Sequence, residues 1–372
     1  MEEYELLKKI TEIPAPSGEE QKRAEFIRDY LKQYGYKPEI DEAGNVLIQC
    51  RIGSGDSDES YSLMMAHMDT VFADQKIHVI RNDKIASAPG IGDDTANVVT
   101  LIRYLEYISI HNIRPKQNLL FAFNVGEEGL GNLKGIRQIM QDYSGKIREV
   151  VSYDLMSDYI CTKAVGSVRY EVRVSSPGGH SYHAFGQKGA IEIASEMIHK
   201  IYRMKVPVLD NVKSTYNVGM IEGGTSVNTI AQNCKFCVEI RSDARNALNT
   251  MNHKLQRILK MYDGNEDGVQ VTYKMIGDRP TNGCVDQAGQ QKLIQRAEQA
   301  ISKLTGVIPD QKSSSTDCNL PLSLGIPAIS FGTYRGGGTH TREEWIDLTY
   351  MDTGFEIMKE FMSNYMEILE IM

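Results

Sequence analysis

The sequence predicts an α/β protein built on a partly parallel sheet, with a separate α+β unit inserted into it. Three observations carry this reading. Short apolar runs alternate with helical patterns in the first 160 and last 90 or so residues, as strands covered on both faces require. The middle of the chain reads instead as βαββαβ, the order of a ferredoxin-like split unit. Strand–helix alternation then resumes after Pro280.

Taken in order, Glu19 to Tyr34 sets Ala24, Ile27 and Leu31 at helical spacing, with Ser17 as cap and Gly35 as stop. The stretch Gly53–Ser60 reads as a hairpin loop joining Val46–Ile52 to Tyr61–Ala66. Ser62–Ala66, Asn118–Val125, Glu149–Tyr153 and Pro327–Gly332 read as buried strands. Thr95–Ile108, Gly131–Tyr143 and Asp286–Leu304 read as helices. In the middle, Ser167–Ser175, Thr215–Glu222, Asn233–Arg241 and Val269–Ile276 are expected strands, and Lys188–Met204 and Ala244–Tyr262 expected helices. The expected division is 1–166 with 281–372 around an inserted domain, 167–280.

Composition narrows the class. The 372 residues carry 41 Lys+Arg against 49 Asp+Glu, a net charge of −8, which argues against a nucleic-acid footprint. No apolar run approaches the roughly 18 residues of a membrane span. The acidic start Met1-Glu2-Glu3-Tyr4-Glu5 has no apolar signal region, so a cytoplasmic protein without membrane or nucleic-acid partners is expected. Six irregularly spaced cysteines do not form a disulfide framework. Cys234 and Cys237 would point to opposite faces of one strand, and the other four read as small buried hydrophobes.

The chemistry lies where the expected strands end. His67 follows Ala66, and Asp69, two residues on, is suited to hold its second ring nitrogen; a plain polar strand cap is the alternative. Gly90-Ile91-Gly92-Asp93-Asp94 sets two carboxylates side by side. Asp94 fits a helix N-cap, but a like-charged pair calls for a cation. Glu127-Glu128 sits between glycines directly after the run Leu119–Phe123, and Asp154 follows Val150-Val151, where a turn-forming Asp is the alternative. His340 comes after three glycines and before Glu343-Glu344, a pair that also suits a helix start. Imidazoles with carboxylates suit a pair of divalent ions, Zn²⁺ by preference with Co²⁺ or Mn²⁺ tolerated. Two adjacent glutamates allow one to bind metal while its neighbour acts as general base on an activated water.

Together, HxD, GxxDD, GEEG, a strand-terminal Asp and a late His resemble the co-catalytic di-zinc peptidase/deacylase family, which includes tripeptidase T, acetylornithine deacetylase and glutamate carboxypeptidase. The likeness spans essentially the whole chain. It implies a zinc-peptidase-like catalytic domain with a mixed, mostly parallel sheet and a ferredoxin-like lid/dimerisation domain. It also implies His67, Asp93 and Asp154 on one zinc and Asp93, Glu128 and His340 on the other. Glu127 would be the general base and Asp69 the support behind the His67 ligand, with a cis peptide at Asp93–Asp94. In the inserted domain, His180 of Ser176–His183 would stabilise the oxyanion across a homodimer. Asn228, in Gly223–Asn228, would bind substrate, and Arg279 would pair a substrate carboxylate. Where many members carry Lys and Gly after the Asp pair, this chain has Thr95-Ala96-Asn97.

The expected activity is hydrolysis of amide bonds in small peptides, in the manner of a tripeptidase T-like aminopeptidase. Hydrolysis of N-acyl amino acids is the alternative within the family, and a non-catalytic metal-binding scaffold the remote one. The retention of Glu127 argues against the scaffold.

Overall fold

The computed structural model describes residues 1–52, 59–262, 264–266 and 268–367. They form two compact units, Met1–Ala164 with Gly283–Met372, and Val165–Asn282.

In the first unit an eight-stranded mixed sheet runs, across its width, Glu39–Ile40, Val46–Cys50, Leu119–Asn124, Tyr61–His67, Ile147–Ser152, Ala328–Phe331, Tyr159–Ala164 and Asp310–Ser314. The middle four are mutually parallel, so their carboxyl ends share one edge. Antiparallel neighbours, Val46–Cys50 and Tyr159–Ala164, close them in on either side.

The apolar runs follow from burial on both faces. Met64, Phe121, Phe123 and Val151 pack beneath Glu3–Thr11, Gln21–Lys32, Asn97–Ile110, Gln287–Thr305 and Met351–Met362. Leu63, Met65, Leu120, Ala122 and Val150 face the other way, against Lys134–Asp142 and Asn319–Ser323. Every residue of Tyr61–His67 and Leu119–Asn124 is buried, so neither strand shows polar alternation.

The second unit is an antiparallel sheet in the order Ser214–Gly223, Asn233–Ser242, Gly166–Ser175, Val269–Arg279 and Gly264–Glu266. Helices Ala190–Tyr202 and Arg245–Lys260 cover one face, where Val172, Phe236 and Ile240 meet Met197, Met251 and Leu255.

Several expectations are corrected. Val46–Cys50 and Tyr61–His67 do not form a hairpin, because Leu119–Asn124 lies between them and pairs with both. A strand buried on both faces needs a partner on each side, and that need outweighs closeness in sequence. Residues 53–58 of the expected loop lie outside the described residues. Ser17 does not cap the first long helix, which starts at Gln21 after Glu20. Asp94 is no N-cap either; the Asn97–Ile110 helix has Ala96 there, with no side-chain cap. Glu343-Glu344 starts no helix and leads into the short strand Trp345–Asp347. Cys284 is exposed and Cys50 partly so, while Cys161 and Cys318 are buried.

Where the Ala328–Phe331 strand ends, Gly332 crosses the backbone that follows Asp154. A Cβ on Gly332 would lie 1.7 Å from the Leu155 carbonyl oxygen. Gly332→Ala is therefore expected to destabilise the protein by at least about 1–3 kcal/mol, the range for overpacking. Equilibrium urea unfolding measures this, and an unchanged midpoint would contradict it.

Candidate metal centre

The shared carboxyl edge delivers the charged residues. His67 ends its strand, Glu127 and Glu128 follow Leu119–Asn124, and Asp154 follows Ile147–Ser152. Asp93 comes from the turn Ile91–Ala96 ahead of the Asn97–Ile110 helix, and His340 from the segment before Trp345–Asp347. All six belong to the first unit.

The Asp93 carboxylate stands between the two imidazoles. One oxygen lies 3.2 Å from His67 Nε2 and the other 3.2 Å from His340 Nε2. His340 Nε2 is also 2.8 Å from Glu128 Oε1. Three overlapping sets of ligand atoms result, each gathered within 4.8 Å: His67, Asp93, Asp94 and Asp154; His67, Glu127 and Glu128; Asp93, Glu128 and His340. The peptide Asp93–Asp94 is cis.

Around these residues lies a layer that holds them in place. His67 Nδ1 sits 3.0 Å from the Asp69 carbonyl oxygen, closer than the 3.5 Å to its carboxylate. The expected imidazole contact to the carboxylate is thus present as the longer of the two, and the carboxylate has other donors to serve. It accepts from the backbone N–H groups of Glu127 and Glu128 (3.0 and 2.8 Å) and from the Ser17 hydroxyl (2.6 Å). Asp69 thereby fixes the backbone of the glutamate pair. Asp94 accepts from the His67 amide (3.0 Å) and the Asn97 side chain (2.7 Å). Asn97 in turn donates to Leu155 and accepts from the Thr333 amide and hydroxyl, joining three loops of the site. Arg23, fully buried, donates to the carbonyls of Met68 and Ile13 and to the Thr95 hydroxyl.

The electrostatics show a surplus of negative charge. Burial and the charges of Asp93, Asp317 and Glu128 raise Asp154 to about 7, against the pull of His67. Burial likewise pushes Asp94 well above the usual carboxylate range. Burial opposes the ionised form of Asp93 too, yet hydrogen bonds from His340 and His67 hold it low. Contacts with Asp93 and Glu128 raise His340 to about 11. Five carboxylates thus face two imidazoles, and neutral imidazole with carboxylate oxygen is the donor set that divalent cations take.

The remaining expected site residues lie in the second unit. His180 is exposed and pairs with Thr229 in a short antiparallel ladder; the next amide, of Ser181, donates to the Asn228 carbonyl (3.0 Å). His180 and Asn228 are therefore neighbours. Arg279 is buried at the end of the Val269–Arg279 strand, opposite Ser167.

Sequence reasoning missed Ser17, Asn97, Asp317 and Glu344. Asp317, buried, accepts from the Asn124 side chain at 2.6 Å. Glu344, 1% exposed, accepts from three amides of the Asp93 turn, and burial raises it to about 7. The only signal for Glu344 was its place four residues after His340.

Residues 63–364 match the model of Peptidase family M20/M25/M40. The chain belongs to this family and is a metal-dependent amide hydrolase. It is 22% identical to the succinyl-diaminopimelate desuccinylase of Corynebacterium glutamicum over 378 residues, covering 96% of this chain and 95% of that protein. Its fold is similar to that of aminopeptidase PepT from Bacillus cereus, with TM-score 0.71, 18% identity and 96% of each chain covered. Bacillus subtilis YxeP, a dinuclear metal-binding peptidase of the same family, superposes with TM-score 0.63 at 16% identity over 96% of each chain. Among the described residues no helix is long and apolar enough to cross a membrane.

Asp69→Ala removes the acceptor that fixes the Glu127–Glu128 backbone. It is expected to weaken divalent-ion affinity by about 10- to 100-fold, as loss of a ligand-orienting group does. Competition with a chromophoric chelator measures this, and unchanged affinity would contradict the role.

Proposed function

We propose that the protein is a di-zinc aminopeptidase of short peptides. His67, Asp93 and Asp154 would hold one cation, and Asp93, Glu128 and His340 the other. The observation that carries this is the overlap of the ligand sets at Asp93, whose two oxygens face different histidines. Bound there, two cations would supply Lewis-acid activation of water and of the scissile carbonyl.

The chain's own residues do the rest. The Glu127 carboxylate takes the proton of the attacking water and returns it to the departing amine nitrogen. Its backbone is anchored by Asp69. The exposed His180 ring is the assigned donor to the tetrahedral oxyanion, an electrostatic contribution worth several kcal/mol in such sites. Asn228 and Arg279 are assigned to substrate recognition. In the second unit, the outer strand Ser214–Gly223 leaves Met220 and Ile221 exposed, which supports a homodimer contact there.

The fold similarity to an aminopeptidase supports the aminopeptidase reading. N-deacylation is the second reading, favoured by the full-length similarity to a desuccinylase. Comparing one tripeptide with a free and with an acetylated N-terminus separates them. The aminopeptidase reading expects cleavage of the free form only, and preference for the acetylated form would reverse it.

Glu127→Gln is expected to lower turnover by about 10²- to 10⁴-fold, the usual contribution of a general base. Its metal content by atomic absorption should stay that of the wild type. Near-normal turnover would remove Glu127 from the role.

A further inference from the structure

The segment that carries His340 is a loop whose base is closed by antiparallel pairing of Gly336–Gly337 with Trp345–Ile346. It begins with glycines at 336–338, and His340 itself adopts left-handed backbone at φ 64°, unfavourable for a residue with a Cβ. Within the loop, the Thr341 amide and hydroxyl donate to the Gly338 carbonyl (2.8 and 2.6 Å) and the Glu344 amide to the Thr341 carbonyl (3.3 Å). Half of the His340 side chain is open to solvent.

Beyond that turn stands Glu344. Its carbonyl accepts from the Ala88 amide at 3.1 Å, extending the antiparallel pairing of Trp345–Asp347 with Ile85–Ser87. Its carboxylate carries the pairing further along the same strip of chain. Oε2 accepts from the Gly90 amide (2.9 Å), and Oε1 from the amides of Gly92 (2.9 Å) and Asp93 (2.7 Å). Gly92 must lack a side chain here, because a Cβ would come within 2.8 Å of that same oxygen.

Among the described residues no cationic side chain forms an ion pair with Glu344. Burying a carboxylate is costly unless donors replace its water, and these three amides are the donors. The third of them belongs to Asp93, so the carboxylate sets the main chain from which Asp93 reaches both histidines. Four residues separate it from His340 along the chain.

We propose that Glu344 is a positioning residue that locks the Asp93 turn to the His340 segment, assembling the cation site of Asp93, Glu128 and His340. It touches neither cation nor substrate. The inference rests on the metal-centre reading above. The other site shares Asp93 but takes His67 and Asp154 from the ends of sheet strands, so the loss falls more heavily on the site that takes both Asp93 and His340.

Isothermal titration of the chelator-stripped full-length protein with Zn²⁺ tests this. Wild type should take up two ions. Glu344→Gln, which turns an amide NH₂ toward a backbone N–H, should weaken one ion by at least about tenfold more than the other. Glu344→Asp keeps the charge, is too short to reach the three amides, and should give the same split if the Gln variant fails to fold. Arg342→Ala, which breaks only an exposed ion pair with Asp74 in the same segment, should bind both ions as wild type does. A merely structural Glu344 would lower the unfolding midpoint of the stripped protein and weaken both ions alike, and that result overturns the proposal. Two undiminished ions in Glu344→Gln also overturn it. A wild type that takes up fewer than two ions instead overturns the metal-centre reading itself.

Discussion

Mutual repulsion among carboxylates at the buried end of a sheet is the constraint around which this structure is organised. Asp93, Asp94, Glu127, Glu128 and Asp154 converge where water is scarce, and burial raises the proton affinity of Asp94 and Asp154. Such a cluster persists only if something supplies positive charge or donors. Two histidines and the backbone amides supply part of it, and divalent cations are the species that would supply the remainder. The layer behind the ligands follows from the same need: Asp69 and Glu344 each collect several donors, and Asn97 donates to Asp94 and Leu155 while accepting from Thr333.

Topology makes the convergence possible. Four parallel strands place their carboxyl ends on one edge, so segments far apart in the chain arrive together there. Parallel strands require coverage on both faces, and the helices that supply it also shape the approach of Asp93, because the Asn97–Ile110 helix follows directly from its turn. Fold and site are in that sense one construction: the apolar runs that bury the sheet also fix where the charged residues emerge.

Much of this was legible in the sequence for a physical reason. A strand buried on both faces is an uninterrupted apolar run, and a charged residue at its end stands out, as His67, Glu127-Glu128 and Asp154 do. What stayed hidden depends on contacts distant in the chain. The order of strands cannot be read from neighbouring runs, and so Val46–Cys50 was matched to the wrong partner. Ser17 looked like a helix cap, since the sequence gives no sign that Asp69, 52 residues on, competes for its hydroxyl. Glu344 reaches Asp93 across 251 residues, and no local pattern marks a carboxylate whose partners are main-chain amides.

The convergence itself is open to direct measurement. Anomalous diffraction at the zinc edge, from crystals of the protein grown with Zn²⁺, locates bound ions without reference to activity. The account predicts two peaks about 3.5–4 Å apart, the usual separation in two-metal sites, both within the ring of His67, Asp93, Glu128, Asp154 and His340. A lone peak, or peaks bound elsewhere on the chain, would contradict it.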